Sequence, residues 1–354
     1  MINTEAALQE FLPSLHQAEW IAMDTEADSR HAYPEKVCLL QFGLASGDYL
    51  VDPLAGFDLG PLWHELHGRE LIFHGADYDL RLLRRQYGFV PRVVFDTMLA
   101  SRLVGNQAFG LRDLVLQHLG VELEKGSQTA NWGRRPLTPR MAQYARNDTH
   151  YLKPVADALR KELAALGRAE WHRESCQRLV NEAANPAELD REEAWRIKGS
   201  SILRPRGLAV LRQLWRWREQ EAISSNRPPY FIMPHELLVT FAEDAERHPQ
   251  RHPRPPRFLT SRRRTGLEQA FEAGLAVPDE DCPRPLPRRG RRASEQDMAR
   301  FEKLKQARDA QATRLGLDPT LIASKAELMS LAQDGHPAAE AMMHWQRELL
   351  GLKA

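Results

Sequence analysis

The sequence predicts a mixed-sheet α/β domain followed by all-α helical modules. Short apolar stretches typical of strands come first, and strand and helix patterns then alternate up to a long helix after Thr138. From about residue 170 only helical patterns recur. The chain has 354 residues, too many for one compact core of usual size, so we expect two or three domains.

Five short strands are predicted before residue 100, at 21–23, 37–44, 49–51, 71–73 and 93–95. The long helix begins with Thr138 as N-cap and Pro139 at the first helical position. Apolar residues then recur at steps of three and four as far as Leu159, giving one stripe, and Asp148 lies on it.

Composition indicates an ordinary soluble globular protein, with 42% hydrophobic and 27% charged residues. No apolar run approaches the ~18 residues of a membrane span, and residues 1–10 lack a signal core. Cys38, Cys176 and Cys282 are widely spaced and form no CxxC pair, so neither disulfides nor a zinc knuckle is predicted. We therefore expect a cytoplasmic protein without membrane partners.

Charge is unevenly distributed along the chain. Residues 1–170 carry 18 Lys and Arg against 22 Asp and Glu, whereas the remainder carries 31 against 26. An acidic half joined to a basic half suits a metal-dependent site with an appended part that holds a polyanion.

Asp24 and Glu26 are the first candidate site residues. They stand two apart in a predicted strand, so their side chains project from the same face. Two carboxylates this close repel each other unless a positive group lies between them, and a hard divalent cation is the usual solution. A solvated strand edge with two exposed acids is the alternative.

Two further acid positions favour a shared site. Asp79 follows a buried strand and a glycine turn, which places it at the carboxyl end of the sheet. Asp148 lies on the apolar stripe of its helix, where an unpaired carboxylate is costly, and Tyr144 lies one turn earlier on the same face.

The order of the four acids along the chain resembles the motifs of the DEDD superfamily of 3′-5′ exonucleases. Tyr144, four residues before Asp148, resembles the subclass that has tyrosine in the third motif. The sequence between these residues is similar to the ribonuclease D family over roughly residues 15–165. The similar segments are Phe95-Asp96-Thr97, Gly110-Leu111-Arg112-Asp113-Leu114, Lys125-Gly126-Ser127-Gln128 and Arg135-Pro136-Leu137-Thr138. Ala27 stands where many relatives have phenylalanine. The resemblance implies a ribonuclease H-like fold.

The resemblance also implies a role for each site residue. Asp24, Glu26, Asp79 and Asp148 would bind two Mg²⁺ or Mn²⁺ ions, and Tyr144 would orient or deprotonate the attacking water. His74, Lys125, Gln128 and Arg135 are candidates for contacts to substrate, by the chemistry of their side chains. Trp132 has suitable chemistry as well, but a buried core position is the stronger prediction for it.

The second half resembles a helical nucleic-acid-binding module. Residues 200–285 are similar to the HRDC domain shared by ribonuclease D and RecQ-type helicases, with His235 in place of a common aspartate. Residues 286–354 look like a second, degenerate copy, after an exonuclease domain at 1–170 and a helical linker at 171–199. Arginine- and proline-rich stretches at 247–264 and 283–292 are predicted loops, which either follow phosphates or serve as solvated linkers.

The expected activity is that of a 3′-5′ exoribonuclease that releases 5′-mononucleotides by a two-metal mechanism. The expected partner is RNA with a free 3′ end, as in transfer RNA 3′ maturation. A DNA exonuclease of the same superfamily and a non-catalytic nucleic-acid-binding protein are the alternatives.

Overall fold

The computed structural model describes residues 1–124, 126–185, 192–248, 250, 254–286 and 292–352, and these residues form two compact units. The first unit comprises Met1–Ala27, Val37–Asn185 and the described part of Arg291–Ala354. The second comprises Asp28–Lys36 and the described part of Pro186–Gly290. The sequence predicts four segments that follow one another along the chain. In the structure, the C-terminal helices belong to the same unit as the α/β residues. Every helix in the described ranges is too short or too polar to span a bilayer.

A five-stranded mixed sheet forms the centre of the first unit. Its strand order is β3-β2-β1-β4-β5, with antiparallel pairing among the first three strands and parallel pairing of β4 with both β1 and β5. This arrangement confirms the predicted mixed sheet and its ribonuclease H-like topology. The elements to this point are α1 (Glu5–His16), β1 (Ile21–Ala27), β2 (Val37–Leu44), β3 (Gly47–Val51), α2 (Gly60–Leu66), β4 (Glu70–Phe73), α3 (Asp77–Tyr87) and β5 (Val93–Asp96).

The long helix predicted after Thr138 is in fact two helices that meet at Tyr151. Thr138 is the N-cap, as predicted, and its hydroxyl accepts from the backbone N–H of Met141 at 3.2 Å. Pro154 has no N–H to donate to the carbonyl of His150, so the hydrogen-bond ladder is interrupted at the junction. The helices after the sheet are α4 (Thr97–Val104), α5 (Leu111–Leu119), α6 (Pro139–His150), α7 (Leu152–Ala165) and α8 (Ala169–Ala184).

The second unit is helical and has its own apolar core, which includes Leu208, Leu211 and Phe271. Its helices are α9 (Pro205–Ser225), α10 (Pro229–Ile232), α11 (His235–Arg247) and α12 (Ser261–Leu275). α10 begins at Pro229, because proline can occupy a first helical position. One detail differs from prediction: the arginine-rich stretch predicted as a loop over 247–264 ends in the first turn of α12, for which Thr260 is the N-cap.

The arginine-rich stretches are only partly described. Arg262 and Arg263 both donate to Glu221, at 2.6 and 3.1 Å, so these two side chains are paired within the unit. Residues 249, 251–253 and 287–291 lie outside the described residues. Whether the stretches follow phosphates therefore stays a prediction.

The C-terminal helices repeat the pattern of the second unit at an offset of 90 residues. They are α13 (Glu295–Leu315), α14 (Pro319–Ile322), α15 (Lys325–Asp334), α16 (His336–Glu340) and α17 (His344–Leu349). Both α9 and α13 have 21 residues, and the helix that follows each has four. Arg218 pairs with Glu219 as Arg308, 90 residues later, pairs with Asp309. These parallels support a degenerate second copy, and its boundaries stay a prediction.

These C-terminal helices complete the apolar core on one side of the sheet. One buried cluster contains Ile72 of β4 and Leu152 of α7 together with Trp345 of α17. Trp345 stacks on Trp171, with ring centroids 5.1 Å apart. The Arg168 guanidinium donates at 2.7 Å to carbonyls on both sides of this junction. Apolar burial explains why this segment does not form a separate unit.

Candidate active site

β1 presents two acids on the same face, as the sequence predicts. In the antiparallel pairing with β2, Asp24 lies opposite Gln41, and Glu26 lies opposite Leu39. The pairing shifts register after Glu26, so the regular ladder ends just beyond the second acid. Asp24 therefore lies at the centre of the strand and Glu26 near its end, and both carboxylates lie where α6 contributes Asp148.

Asp79 approaches from the other face of β1. It lies in the first turn of α3, and the Thr25 hydroxyl donates to its Oδ1 at 2.5 Å. The buried Asp96 carboxylate fixes the preceding turn by accepting from the backbone N–H groups of Gly75 at 3.1 Å and Ala76 at 2.8 Å. The same carboxylate caps α4. One buried acid thus holds the turn that places Asp79.

α6 supplies the remaining two predicted site residues. Tyr144 and Asp148 lie one turn apart, and the Tyr144 hydroxyl interacts with the Asp148 carboxylate. Carboxylate oxygens of Asp24, Glu26 and Asp148 all lie within 4.8 Å of one another. Three of the four predicted acids therefore converge, although they come from positions more than 120 residues apart in the chain.

The cluster holds more negative charge than it can stabilise alone. Burial raises the pKa of Glu26 to about 9, that of Asp148 to about 7 and that of Asp79 to about 6. Burial, followed by the charge of Asp79, raises the pKa of Asp24 well above its usual range. After burial, the charges of Asp148 and then Asp79 also raise the pKa of Glu26, so Asp79 lies close enough to interact with the other acids.

The donor set fits a divalent metal ion. Closely spaced carboxylate oxygens are the ligands that hard cations prefer, and a cation between them would remove the repulsion that raises their pKa values. The alternative of two solvated acids on a strand edge does not fit, because the side chains are partly buried and share their environment with Asp148.

Tyr144 is confined on two sides. A Cβ atom built on Gly126 would lie 1.6 Å from Cδ2 of the Tyr144 ring, so only glycine permits this approach. The Trp132 ring centroid lies 6.1 Å from that of Tyr144. Trp132 is 1% exposed and belongs to an apolar cluster with Ala145, which confirms the predicted core position.

The predicted substrate contacts lie in different surroundings. His74 is partly buried, and its Nδ1 lies 2.9 Å from the hydroxyl of Thr97. That hydroxyl donates to the Phe73 carbonyl, so Nδ1 must carry the proton and Nε2 is left as an acceptor. Burial lowers the pKa of His74 and favours this neutral ring. Gln128 is exposed, and Lys125 lies outside the described residues.

Arg135 has a different function from the predicted one. Its guanidinium donates twice to the Asp52 carboxylate, at 2.5 and 2.6 Å, and to the carbonyl of Cys38 at 2.6 Å. It also donates to the carbonyls of Trp132 and Arg134, at 2.8 and 2.9 Å. All five N–H donors are thereby used, and none remains for a phosphate. Arg135 anchors the loop that precedes α6.

Sequence reasoning missed several residues that arrange the site. Asp96 and Gly126 stood out only as members of the motifs shared with the ribonuclease D family, and Thr25 only as the residue between Asp24 and Glu26. Gln41 gave the clearest overlooked signal, because it is the single polar side chain in the apolar strand Val37–Leu44.

Comparisons with known proteins agree with the geometry. A family model described as 3′-5′ exonuclease matches residues 1–164, and the HRDC domain model matches residues 207–251. Ribonuclease D of Desulfotalea psychrophila is 26% identical over 99% of this chain and 96% of its own. Ribonuclease D of Nitrobacter hamburgensis is 28% identical over 99% and 93%.

The fold has a solved counterpart over its full length. The crystal structure of Escherichia coli RNase D covers 99% of this chain and 98% of that one, with a TM-score of 0.75 and 23% identity. The order of the two matched domains, the full-length relatives and the carboxylate cluster agree with one another. The chain belongs to the ribonuclease D family of 3′-5′ exoribonucleases.

Proposed function

We propose that the protein shortens RNA from a free 3′ end at the cluster of Asp24, Glu26, Asp79 and Asp148 and releases 5′-mononucleotides. One observation carries this proposal: three carboxylates from β1 and α6 converge within 4.8 Å, and Tyr144 lies one turn before Asp148 on α6. Acid clusters of this kind are typical of phosphodiester hydrolysis. Family membership supports the same activity.

The four acids would bind two Mg²⁺ or Mn²⁺ ions. Asp24, Glu26 and Asp148 offer oxygens close enough to share one ion, and Asp79 would complete the second site next to Asp24. When bound, such ions supply positive charge to the attacking and leaving oxygens of the scissile phosphate. The raised pKa values of the acids support this proposal, because they indicate that the cluster lacks compensating charge.

Tyr144 would orient the attacking water rather than deprotonate it. Burial first, and then the charges of Asp148, Glu26 and Asp24, raise the pKa of Tyr144 above its usual value near 10. The hydroxyl therefore keeps its proton at neutral pH and can donate it to a nearby acceptor. Its oxygen lone pairs remain available to accept a hydrogen bond from water. Of the two roles that the resemblance implies, this geometry favours orientation.

Substrate contacts are proposed for His74 and Gln128. The neutral His74 ring can accept a hydrogen bond at Nε2 from a ribose hydroxyl, and the exposed Gln128 amide can reach a phosphate or base. Lys125 stays a proposal from sequence alone. The HRDC domain would add affinity for structured RNA such as a transfer RNA precursor. The E. coli relative is described as an exoribonuclease involved in structured RNA processing, which supports this choice.

The proposed location is the cytoplasm. All three cysteines, Cys38, Cys176 and Cys282, are buried and none of them forms a disulfide, as suits a reducing compartment.

The experiment is digestion of one oligonucleotide sequence prepared as RNA and as DNA, each labelled at the 5′ end, with Mg²⁺ or EDTA. We expect progressive shortening of the RNA and release of 5′-mononucleotides with Mg²⁺ only. An RNA whose 3′ end is blocked by phosphate is the control and should persist. Faster digestion of the DNA would favour the DNA exonuclease alternative, and binding without digestion would favour the non-catalytic one.

The natural substrate needs a separate comparison. A precursor transfer RNA with a short 3′ extension should be trimmed, while a 5′ extension on the same molecule should stay intact. Equal rates on an unstructured RNA of the same length would contradict a preference for structured substrates.

A further inference from the structure

Gln41 is a buried amide that the proposed mechanism does not use. It lies in β2 among apolar neighbours, and its side chain is fully buried. Neither Oε1 nor Nε2 has a hydrogen-bond partner among the residues that the structure describes. Burying an unpaired amide is unfavourable, and such groups in native proteins usually have a function or bind a water or an ion.

The position of Gln41 connects it with the acid cluster. It lies directly opposite Asp24 in the pairing of β1 with β2, and directly opposed residues of an antiparallel pair project from the same face. Gly43 lies two residues after Gln41 in β2, so it is on the same face of the strand. The surroundings of Gly43 show that α6 covers this face. A Cβ built there would lie 2.9 Å from the carbonyl oxygen of Thr149 in α6. Gln41 thus lies in the layer between the sheet and α6, where the Asp24 and Asp148 carboxylates meet.

We propose that Gln41 is a positioning residue for the metal-binding carboxylates, holding Asp24 through one buried water. The water accepts from Nε2 and donates to the Asp24 carboxylate, which fixes the carboxylate oxygen that faces the cation. Polar groups behind metal ligands commonly set ligand orientation in this way. This inference rests on the proposed function, because it assigns Gln41 to the same cluster.

A purely structural account of Gln41 makes the opposite prediction. If the amide were only a tolerated polar group in a strand, replacing it with an apolar side chain of similar size would leave metal affinity unchanged. If it positions Asp24, the same replacement weakens metal binding without weakening the metal-free fold.

The test uses Gln41→Met in the full-length protein, with Leu50→Met as matched control. Leu50 lies opposite Gln41 on β3 and is 1% exposed, so the control changes shape in the same layer without removing a polar group. Mn²⁺ affinity is measured by titration calorimetry, and Tm is measured in EDTA. We expect affinity about 10–100-fold weaker in Gln41→Met and unchanged in the control. Tm in EDTA should equal or exceed that of the wild type.

Two results for the variant would overturn the inference. Mn²⁺ affinity within about twofold of wild type, in place of the expected loss of about 10–100-fold, would show that the amide does not act on the cluster. A lower Tm in EDTA would show that it already stabilises the metal-free fold, and Gln41→Leu should agree with Gln41→Met on both counts. Wild-type protein that binds no Mn²⁺ would instead contradict the proposed function, so the two failures are distinguishable.

Discussion

Gly126→Ala should impair catalysis by displacing the Tyr144 ring. The added Cβ would lie 1.6 Å from Cδ2 and 2.2 Å from Cε2 of that ring. Carbon atoms in contact are about 3.5 Å apart, so the ring and the loop must separate by roughly 2 Å. The close approach of the ring makes this a steric effect.

The expected loss is about 100-fold in kcat, because a misplacement of about 1 Å in an active site can cost that much. Mn²⁺ affinity should change little, since Tyr144 is not among the proposed ligands. Single-turnover digestion of 5′-labelled RNA measures the effect. Ser127→Ala, in the same loop, is the control and should retain the wild-type rate.

A double-mutant comparison separates displacement of Tyr144 from general damage to the loop. Gly126→Ala should cost little in a Tyr144→Phe background, because the hydroxyl whose position matters is already absent. A kcat for Gly126→Ala within about threefold of wild type would refute the reasoning, since the loop would then move instead of the ring.

Three further changes test other parts of the structure. Tyr144→Phe should lower kcat by about 10²–10⁴-fold with Mn²⁺ affinity unchanged, and an unaltered kcat would remove its role in orienting water. In EDTA, Tm should fall as pH rises from about 5 to 9, because the raised carboxyl pKa values let the folded state hold more protons than the unfolded chain. Mg²⁺ should reverse this fall, and a flat Tm profile would contradict it. Trp345→Ala should lower the free energy of unfolding by about 3–5 kcal/mol in urea titrations, whereas the exposed Leu166→Ala should change it by less than about 1 kcal/mol. Equal effects would mean that α17 does not stabilise the first unit.

Local patterns were sufficient to predict the strands and the acids. Asp24 and Glu26 could be placed on one face because side chains alternate along a strand, and Asp148 because it lies on an apolar helical stripe. Each of these signals spans only a few residues. The ordered motifs then linked the acids to a single site, and the structure brings carboxylate oxygens of Asp24, Glu26 and Asp148 within 4.8 Å of one another.

Long-range partners could not be predicted in the same way. Arg135 has the chemistry of a phosphate ligand, but Asp52, 83 residues away, occupies it. Trp345 completes a core with residues of the sheet, although its surrounding sequence reads as a separate module. Contacts of this kind depend on which surfaces of the folded chain meet. A single sequence contains no information on the distances between residues that are far apart along the chain.

The most direct test of the central claim compares wild-type protein with Asp148→Asn on RNA with a free 3′ end. An amide is a poor ligand for a hard cation, so the variant should remain folded, bind Mn²⁺ more weakly and release no 5′-mononucleotides. Circular dichroism and Tm in EDTA would verify the fold. Wild-type release that stops in EDTA and resumes with Mg²⁺, together with an inactive folded variant, is the predicted result. Undiminished release by Asp148→Asn, or by wild type in EDTA, would contradict a metal-dependent carboxylate site.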